Sequence, residues 1–322
     1  MDNTAMTGSV LVVGSANMDL VVKTSRFPRP GETVLGREFG MYAGGKGANQ
    51  AVACARLGGD VVFVACMGRD VFRDRLFESL TRDGIDLSHV RVDEEASTGV
   101  ALITVDESGQ NEIVVASGSN MHLRAEDMTA HEELFDAADV LLLQLEVPME
   151  TVVRAARMAS RCGTRVILNP APAAELPEEL FQVVDYLTPN ESEAEILSGH
   201  RVDDYASAAR AAGALVDRGV PNVIVTLGSR GALYAGVRGV RSYAAYPTVS
   251  VDTTAAGDAF SGAIAFALSR GDDVEKAVAF ANAVAACCVR RMGAQTAMPT
   301  LDEVDQFIAD RPDDVPDDPD MR

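Results

Sequence analysis

Short apolar runs alternate along this chain with longer runs of helical spacing. Six of the apolar runs have the length of buried strands and lie at residues 10–13, 61–66, 140–145, 165–168, 185–187 and 223–226. Helical periodicity is clearest at residues 51–57, 71–83, 150–162, 203–218, 259–268 and 274–289. This order predicts an α/β fold: a mostly parallel sheet with right-handed crossovers and helices on both faces, in three layers. We expect residues 1–310 to form one domain.

A second group of β patterns falls outside this alternation. Residues 20–23, 33–42, 99–105 and 112–116 have strand character, and the sequence Asp-Glu-Ser-Gly at 106–109 predicts a hairpin turn. These segments predict a small β-sheet lid built from about residues 17–43 and 97–117. Its apolar face, with Val100, Leu102 and Val114, would need a cover, and a second copy of the chain would provide one. The sequence thus favours a homodimer formed through the lid.

Polar residues follow several of the predicted strands. Asn17 and Asp19 lie two positions apart, so in extended chain they point the same way and could bind adjacent hydroxyls of a polyol. A capping turn would use the same residue types. Glu146, Asn190 and Gly228 lie at other strand ends. Ligands bind along this edge in parallel α/β sheets, so we expect the site there.

A glycine-rich turn, Ala-Gly-Gly-Lys-Gly-Ala-Asn-Gln at 43–50, opens a predicted helix. Its glycines allow a ligand to approach the backbone, and Lys46 and Asn49 project from the helix start. The chain contains no GxxxxGK[ST] phosphate loop, and no GxGxxG turn follows the first strand. The second absence argues against a nicotinamide-dependent dehydrogenase.

The stretch Asp-Thr-Thr-Ala-Ala-Gly-Asp at 252–258 follows a β-like run at 244–251 and opens the helical run 259–268. Small residues at a helix N-terminus expose backbone N–H groups that can hold an anion. Asp258 beside them could accept a proton from a hydroxyl while the amides stabilise a transferring phosphoryl group. A carboxylate that only stabilises the helix dipole would give the same pattern.

The amino-acid composition limits the classes of partner that this protein is expected to bind. The net charge is −20, from 48 acidic and 28 basic residues, which argues against nucleic acid and anionic membranes. The surface resembles that of proteins from salt-accumulating cytoplasms, although an ordinary acidic protein would also fit.

No apolar run approaches a bilayer span and no export signal is visible, so we expect a cytoplasmic protein. The five cysteines are scattered, the four histidines lack metal-ligand spacing, and the acidic, proline-containing tail at 311–322 is expected to be disordered.

Two motifs together resemble the phosphofructokinase-B, or ribokinase-like, family of sugar kinases. The first is Gly-Gly-Lys-Gly-Ala-Asn at 44–49, with Gly58 and Gly68 at the spacing of that family. The second is the 252–258 stretch, about 200 residues later. The resemblance extends over nearly the whole chain. It implies a ribokinase-like fold with a β-lid and ATP-dependent phosphorylation of D-ribose at O5, giving ribose 5-phosphate.

The resemblance also implies roles for individual residues. Asp258 corresponds to the catalytic base, and the amides of Ala255, Ala256 and Gly257 to the anion hole. The positions matching the sugar site are Asn17, Asp19, Gly45, Lys46, Asn49, Ala101, Ile103 and Glu146. The positions matching the ATP site are Asn190, Glu193, Thr226, Gly228, Ser229, Gly231, Gly257 and Asn282, with Glu193 associated with the magnesium of MgATP.

A potassium site is implied as well, formed partly by backbone carbonyls. Its positions are Asp252, Thr254, Cys288, Arg291, Gly293 and Ala297. Two positions depart from the family pattern, since Asn282 replaces a usual histidine and Ala297 a familiar serine. Ribose 1-phosphate, deoxyribose, a nucleoside or another furanose remain alternative substrates, because small pocket changes switch specificity. A regulator that binds sugar or nucleotide without catalysis is a further alternative.

Overall fold

The computed structural model describes residues 8–311. The tail predicted at 311–322 lies, apart from Arg311, outside the described residues. The strands, in chain order, are β1 (Ser9–Val13), β2 (Asn17–Lys23), β3 (Glu38–Gly44), β4 (Asp60–Val64), β5 (Cys66–Gly68), β6 (Arg91–Asp93), β7 (Gly99–Val105), β8 (Asn111–Ala116), β9 (Val140–Leu143), β10 (Arg165–Leu168), β11 (Tyr186–Leu187), β12 (Asn222–Thr226), β13 (Ala232–Gly236) and β14 (Gly239–Tyr243).

The helices are α1 (Lys46–Arg56), α2 (Val71–Arg82), α3 (Ala125–Thr129), α4 (Glu132–Ala137), α5 (Met149–Cys162), α6 (Glu178–Phe181), α7 (Glu191–Ser198), α8 (Tyr205–Asp217), α9 (Ala256–Ser269), α10 (Val274–Cys288) and α11 (Leu301–Ala309). Three 3₁₀ turns span Gly118–His122, Gly228–Arg230 and Gln295–Ala297. No helix within residues 8–311 is both long enough and apolar enough to span a membrane.

The main sheet has eight strands in the order β14-β13-β12-β11-β10-β9-β1-β4. All neighbours from β12 to β4 are parallel, and β13 and β14 add antiparallel strands at one edge. The sequence of β1 is continuously apolar because both of its faces are buried. Val10 and Val12 pack into one core cluster, and Leu11 and Val13 pack into the other. Both faces of the sheet are thus covered, which confirms the predicted three-layer α/β fold.

The lid is a separate four-stranded sheet in the order β3-β2-β7-β8. Strand β2 pairs antiparallel with β3 and parallel with β7, and this register sets Asp19 beside Ala101. Apolar side chains remain exposed on the sheet: Phe39 is 62% exposed, Leu102 51% and Val114 66%. The predicted sheet outside the main α/β order is therefore present.

The structure differs from the predicted elements at several places. Residues 244–251, predicted as β-like, form no strand; Pro247 lacks an N–H, and the N–H groups of Val251 and Asp252 both donate to the Val289 carbonyl. The lid strand predicted from residue 33 begins at Glu38. The run 61–66 is divided between β4 and β5. Strands β13 and β14 were not predicted, since their short sequences are defined mainly by pairing, β13 with β12 and β14 with β13.

Candidate active site

A cavity of about 180 Å³ opens where the predicted site residues converge. It is lined by Lys46, Asn169, Ala171, Thr188, Asn190, Glu193, Thr226, Thr253, Ala255, Ala256, Gly257 and Asp258. These residues come from segments that are distant in sequence and meet at the carboxyl ends of β10, β11 and β12. A larger cavity of about 510 Å³ lies beside α11 and shares only Arg291 with the predicted positions.

Asp258 lies in the first turn of α9 and is 6% exposed. Its Oδ2 accepts a hydrogen bond from Asn49 Nδ2, and its Oδ1 accepts one from Gln50 Nε2, both at 3.0 Å. Both donors belong to α1, so helix packing fixes the carboxylate. The buried Asn49 Oδ1 has no partner among the described residues, which leaves an acceptor beside Asp258 for a ligand hydroxyl. This geometry suits a base that receives a proton from a bound alcohol.

The turn before α9 is strained. Ala255 has φ +60°, and within residues 8–311 it is the only non-glycine residue with positive φ. Such a conformation costs about 1–2 kcal/mol, and backbone strain of this kind concentrates at functional sites. A Cβ on Gly257 would meet no atom within 4 Å, so the space beside it is open. The Ala256 N–H donates to Thr253 O at 3.2 Å and would have to leave that bond to hold a phosphoryl oxygen.

Three carboxylates and one ammonium, those of Asp19, Glu146, Asp258 and Lys46, interact electrostatically where the sugar site is predicted. Burial, followed by repulsion from Glu146 and Asp258, raises the pKa of Asp19 to about 7. Burial disfavours the charge on Lys46, yet attraction from Asp258, Glu146 and Glu193 leaves its pKa above the ordinary value. Lys46 therefore stays cationic between the predicted sugar and nucleotide residues.

Glu146 has a structural task in addition to its predicted one. Its Oε2 accepts from Ser15 Oγ at 2.5 Å and from the Lys46 N–H at 3.0 Å, which fixes the start of α1. Gly45 precedes that start with φ +89°, and a Cβ there would lie 2.6 Å from the Asn17 nitrogen. The glycine-rich turn thus allows α1 to begin directly against β2.

The predicted sugar-site residues of the lid lie close together on the paired strands β2 and β7. Asn17 lies opposite Gly99, Asp19 opposite Ala101, and Ile103 follows two positions along β7 on the same face. The Asn17 Oδ1 accepts from Asn120 Nδ2 at 2.7 Å, and Asn120 also accepts from the Ala16 N–H at 3.0 Å. Asn120 therefore orients a predicted sugar residue.

On the nucleotide side, Asn190 and Glu193 form a capping box at the start of α7. Asn190 Oδ1 accepts from the Glu193 N–H at 2.9 Å, and Glu193 Oε2 accepts from the Asn190 N–H at 2.8 Å. Burial is the main cause that raises the pKa of Glu193. The motif thus has a local structural function, while both residues also line the cavity beside Thr226.

The remaining predicted nucleotide positions follow β12 or lie on α10. Gly228 and Ser229 lie in the 3₁₀ turn after β12, and Gly231 follows with φ +98°. A Cβ on Gly231 would lie 2.0 Å from the Tyr243 carbonyl oxygen. Asn282 Nδ2 donates to the carbonyls of residues 243 and 244, each at 3.3 Å. Gly231 and Asn282 therefore meet at the same segment, outside the residues that line the cavity.

Asp252 contacts two of the other predicted potassium positions, Thr254 and Gly293. Its Oδ1 accepts from the Thr254 N–H and its Oδ2 from the Gly293 N–H, both at 2.9 Å. Burial, followed by nearby charge on Asp258 and Asp252, raises the pKa of Cys288 to about 12, so this thiol stays protonated. The Arg291 side chain pairs with Glu303 at 2.5 Å. Residues 8–311 contain no group of three or more His, Cys, Asp or Glu side chains suited to a metal.

Comparison with known proteins defines the class. Residues 7–301 match the pfkB family of carbohydrate kinases, so the chain belongs to this family. It is 41% identical to ribokinase of Haemophilus influenzae, covering 94% of this chain and 99% of that protein. It is 38% identical to deoxyribokinase of Salmonella typhi, covering 93% and 98%.

The fold agrees with that of a solved relative. The structure of Arabidopsis thaliana ribokinase complexed with ribose and ATP superimposes with a TM-score of 0.88 at 33% identity, covering 94% of this chain and 99% of that one. The predicted family, the ribokinase-like fold and the carbohydrate kinase class are thereby confirmed.

Several residues of the site were not singled out from the sequence for a role in it. They are Ser15, Gln50, Asn120, Asn169 and Thr188. Gln50 directly follows the 44–49 motif and Ser15 lies two residues before Asn17, so their position was a usable signal. Asn120 lies in a 3₁₀ turn far from any of them, and only the fold brings it to Asn17.

Proposed function

We propose that this protein is an ATP-dependent sugar kinase that phosphorylates D-ribose at O5, releasing ribose 5-phosphate and ADP. The observation that carries the proposal is the buried Asp258 carboxylate, held by Asn49 at the cavity where the strained 252–257 turn begins α9. Similarity to ribokinases over nearly the whole chain supports the choice of ribose.

The residues suggest how the reaction proceeds. Asp258 accepts the proton of the attacking O5 hydroxyl while Asn49 holds the sugar through its unpaired oxygen. Asp19 accepts hydrogen bonds from two sugar hydroxyls in its charged form. Lys46 and the amides of residues 255–257 counter the negative charge of the transferring group, since phosphoryl transfer depends mainly on positioning and charge stabilisation. Magnesium enters as part of the MgATP substrate, near Glu193.

Steady-state kinetics with MgATP and ribose test this proposal. Wild-type protein should release ADP in proportion to ribose, and Asp258→Asn should lose about 10²–10⁴-fold in kcat. The variant should still bind ribose, because it keeps the shape of the pocket. Turnover no higher than the ribose-free ATPase background, or full activity of Asp258→Asn, would contradict the proposal.

A related substrate is the second candidate. The 38% identity to a deoxyribokinase favours deoxyribose over ribose 1-phosphate, a nucleoside or another furanose. A panel of these sugars at fixed MgATP ranks them by kcat/KM. A regulator without catalysis is less consistent with the residues, since such a protein has no need for a buried carboxylate beside an open amide turn.

A potassium ion at the 252–254 turn is part of the proposal. The fixed carboxylate of Asp252 and the carbonyls of Thr254, Cys288, Arg291, Gly293 and Ala297 would form an oxygen-rich set of the kind that hard cations prefer. Bound there, the ion would supply positive charge that holds the turn. The thiol of Cys288 and the paired guanidinium of Arg291 are unsuited as ligands, so these two would contribute only carbonyls.

The proposal also covers the oligomeric state of the protein and the cellular environment in which it works. The exposed apolar residues Phe39, Leu102 and Val114 support a homodimer formed through the lid. The net charge of −20 suits a high-salt cytoplasm, where counterions screen self-repulsion.

A further inference from the structure

Behind Asp258 lies a buried chain of amide side chains, of which Asn169 lines the cavity and Gln50 and Gln144 lie behind it. Gln50 is fully buried, and its Nε2 donates to Asp258 Oδ1 and to Asn169 Oδ1, each at 3.0 Å. Its Oε1 accepts from Gln144 Nε2 at 2.6 Å. Both N–H groups of Gln50 and its oxygen are therefore engaged.

The polarity of this chain is fixed at the end formed by Asp258 and Asn169. Asn169 Nδ2 donates to the Thr188 carbonyl at 2.9 Å, so the Asn169 oxygen faces Gln50. A reversed Gln50 amide would set its oxygen against the oxygens of Asn169 and Asp258, and its NH₂ against the donor of Gln144. The orientation of each amide thus depends on its neighbour, and the Gln50 NH₂ group must face the Asp258 carboxylate.

We infer that Gln50 is a positioning residue for phosphoryl transfer: it fixes the orientation of the Asp258 carboxylate from inside the protein, with Gln144 holding Gln50 in place. This inference rests on the proposed role of Asp258 as the base. Asn49 binds the other carboxylate oxygen from the side of the ligand. Each carboxylate oxygen has two lone pairs, so acceptor capacity remains for the sugar hydroxyl after both amides have bonded.

The test replaces Gln50 with methionine, which keeps the volume and removes the donor. We expect kcat to fall about 10–100-fold, the scale of one lost hydrogen bond to a charged group. The KM for ribose should change far less.

Two further variants keep the inference testable. Gln144→Met removes the partner of Gln50 and should give a smaller change in the same direction, even if Gln50→Met fails to fold. Ser261→Ala is the matched control: Ser261 is buried in α9 and bonds Thr188 Oγ1 at 3.1 Å, whereas the carboxylate is bonded by Asn49 and Gln50. It should change kcat far less than Gln50→Met does. In an Asp258→Asn background, Gln50→Met should cause no further loss in kcat.

A measurement without turnover separates this inference from the proposed function. A crystal structure of ligand-free Gln50→Met should show the Asp258 carboxylate rotated away from its wild-type orientation, in which Gln50 binds Oδ1. An inactive wild type together with this rotation would refute ribose phosphorylation and keep the positioning role. A folded Gln50→Met whose Asp258 carboxylate keeps the wild-type orientation would overturn the inference, whatever its activity.

Discussion

Replacing Gly262 with alanine tests the contact between α1 and α9 on which the site depends. Gly262 lies one turn after Asp258, on the same face of α9. A Cβ at this position would lie 2.7 Å from the Gln50 carbonyl oxygen and 2.7 Å from Ala53 Cβ. Because one contact is backbone, no side-chain rotation can relieve it.

The magnitude follows from these distances. Ordinary contacts between carbon atoms lie at about 3.5–4.0 Å, so the helices must separate locally by about 1 Å. The 3.0 Å bond between Gln50 and Asp258 would then exceed the length of a hydrogen bond. Overpacking costs about 1–3 kcal/mol, while replacing a helical glycine returns at most about 1 kcal/mol. We therefore expect lower stability together with at least a tenfold loss in kcat.

Denaturant unfolding and steady-state kinetics measure the two effects. The matched control is Gly213→Ala in the middle of α8, where an added Cβ meets no atom within 4 Å. That variant should gain about 0.4–1 kcal/mol in the free energy of unfolding and keep wild-type kcat. A Gly262→Ala protein as stable and as active as wild type would refute the reasoning.

The other predictions concern pH, cations and assembly. Since the pKa of Asp19 is about 7 against an ordinary 3.8, the KM for ribose should fall as pH rises from 6 to 8; Asp19→Asn should raise KM and abolish this dependence. The folded state holds that proton more tightly than the unfolded state, so charge on Asp19 costs stability as pH rises from about 4 to 7, and Asp19→Asn should have the higher melting temperature at pH 8. At equal ionic strength, KCl should activate more than NaCl, and Asp252→Ala should lose the difference; equal activation would indicate screening alone. Leu102→Asp with Val114→Lys should convert a dimer into a monomer in sedimentation, whereas an unchanged mass would exclude the lid as the interface.

Much of the fold was predictable because its signals are local. The apolar run of β1 and the alternation that follows require a parallel sheet covered on both faces. Segments 17–43 and 97–117 fall outside that alternation, and the structure forms the lid sheet from them. The predicted strand at 244–251 was wrong, because its apolar residues find no neighbouring strand and its end bonds instead to Val289. The edge strands β13 and β14 were not predicted, because pairing with a neighbouring strand defines them more than their own short sequences do.

The sequence by itself determined the family, the α/β architecture and the polar residues predicted for the site, since motif spacing and hydrophobic period are properties of the chain. Only the tertiary structure decided which of these residues share charge and hydrogen bonds. It raised the pKa of Asp19 by burying it near Glu146 and Asp258. It also gave Gln50 a partner 208 residues away, because Gly262 lets two helices approach closely enough for that bond.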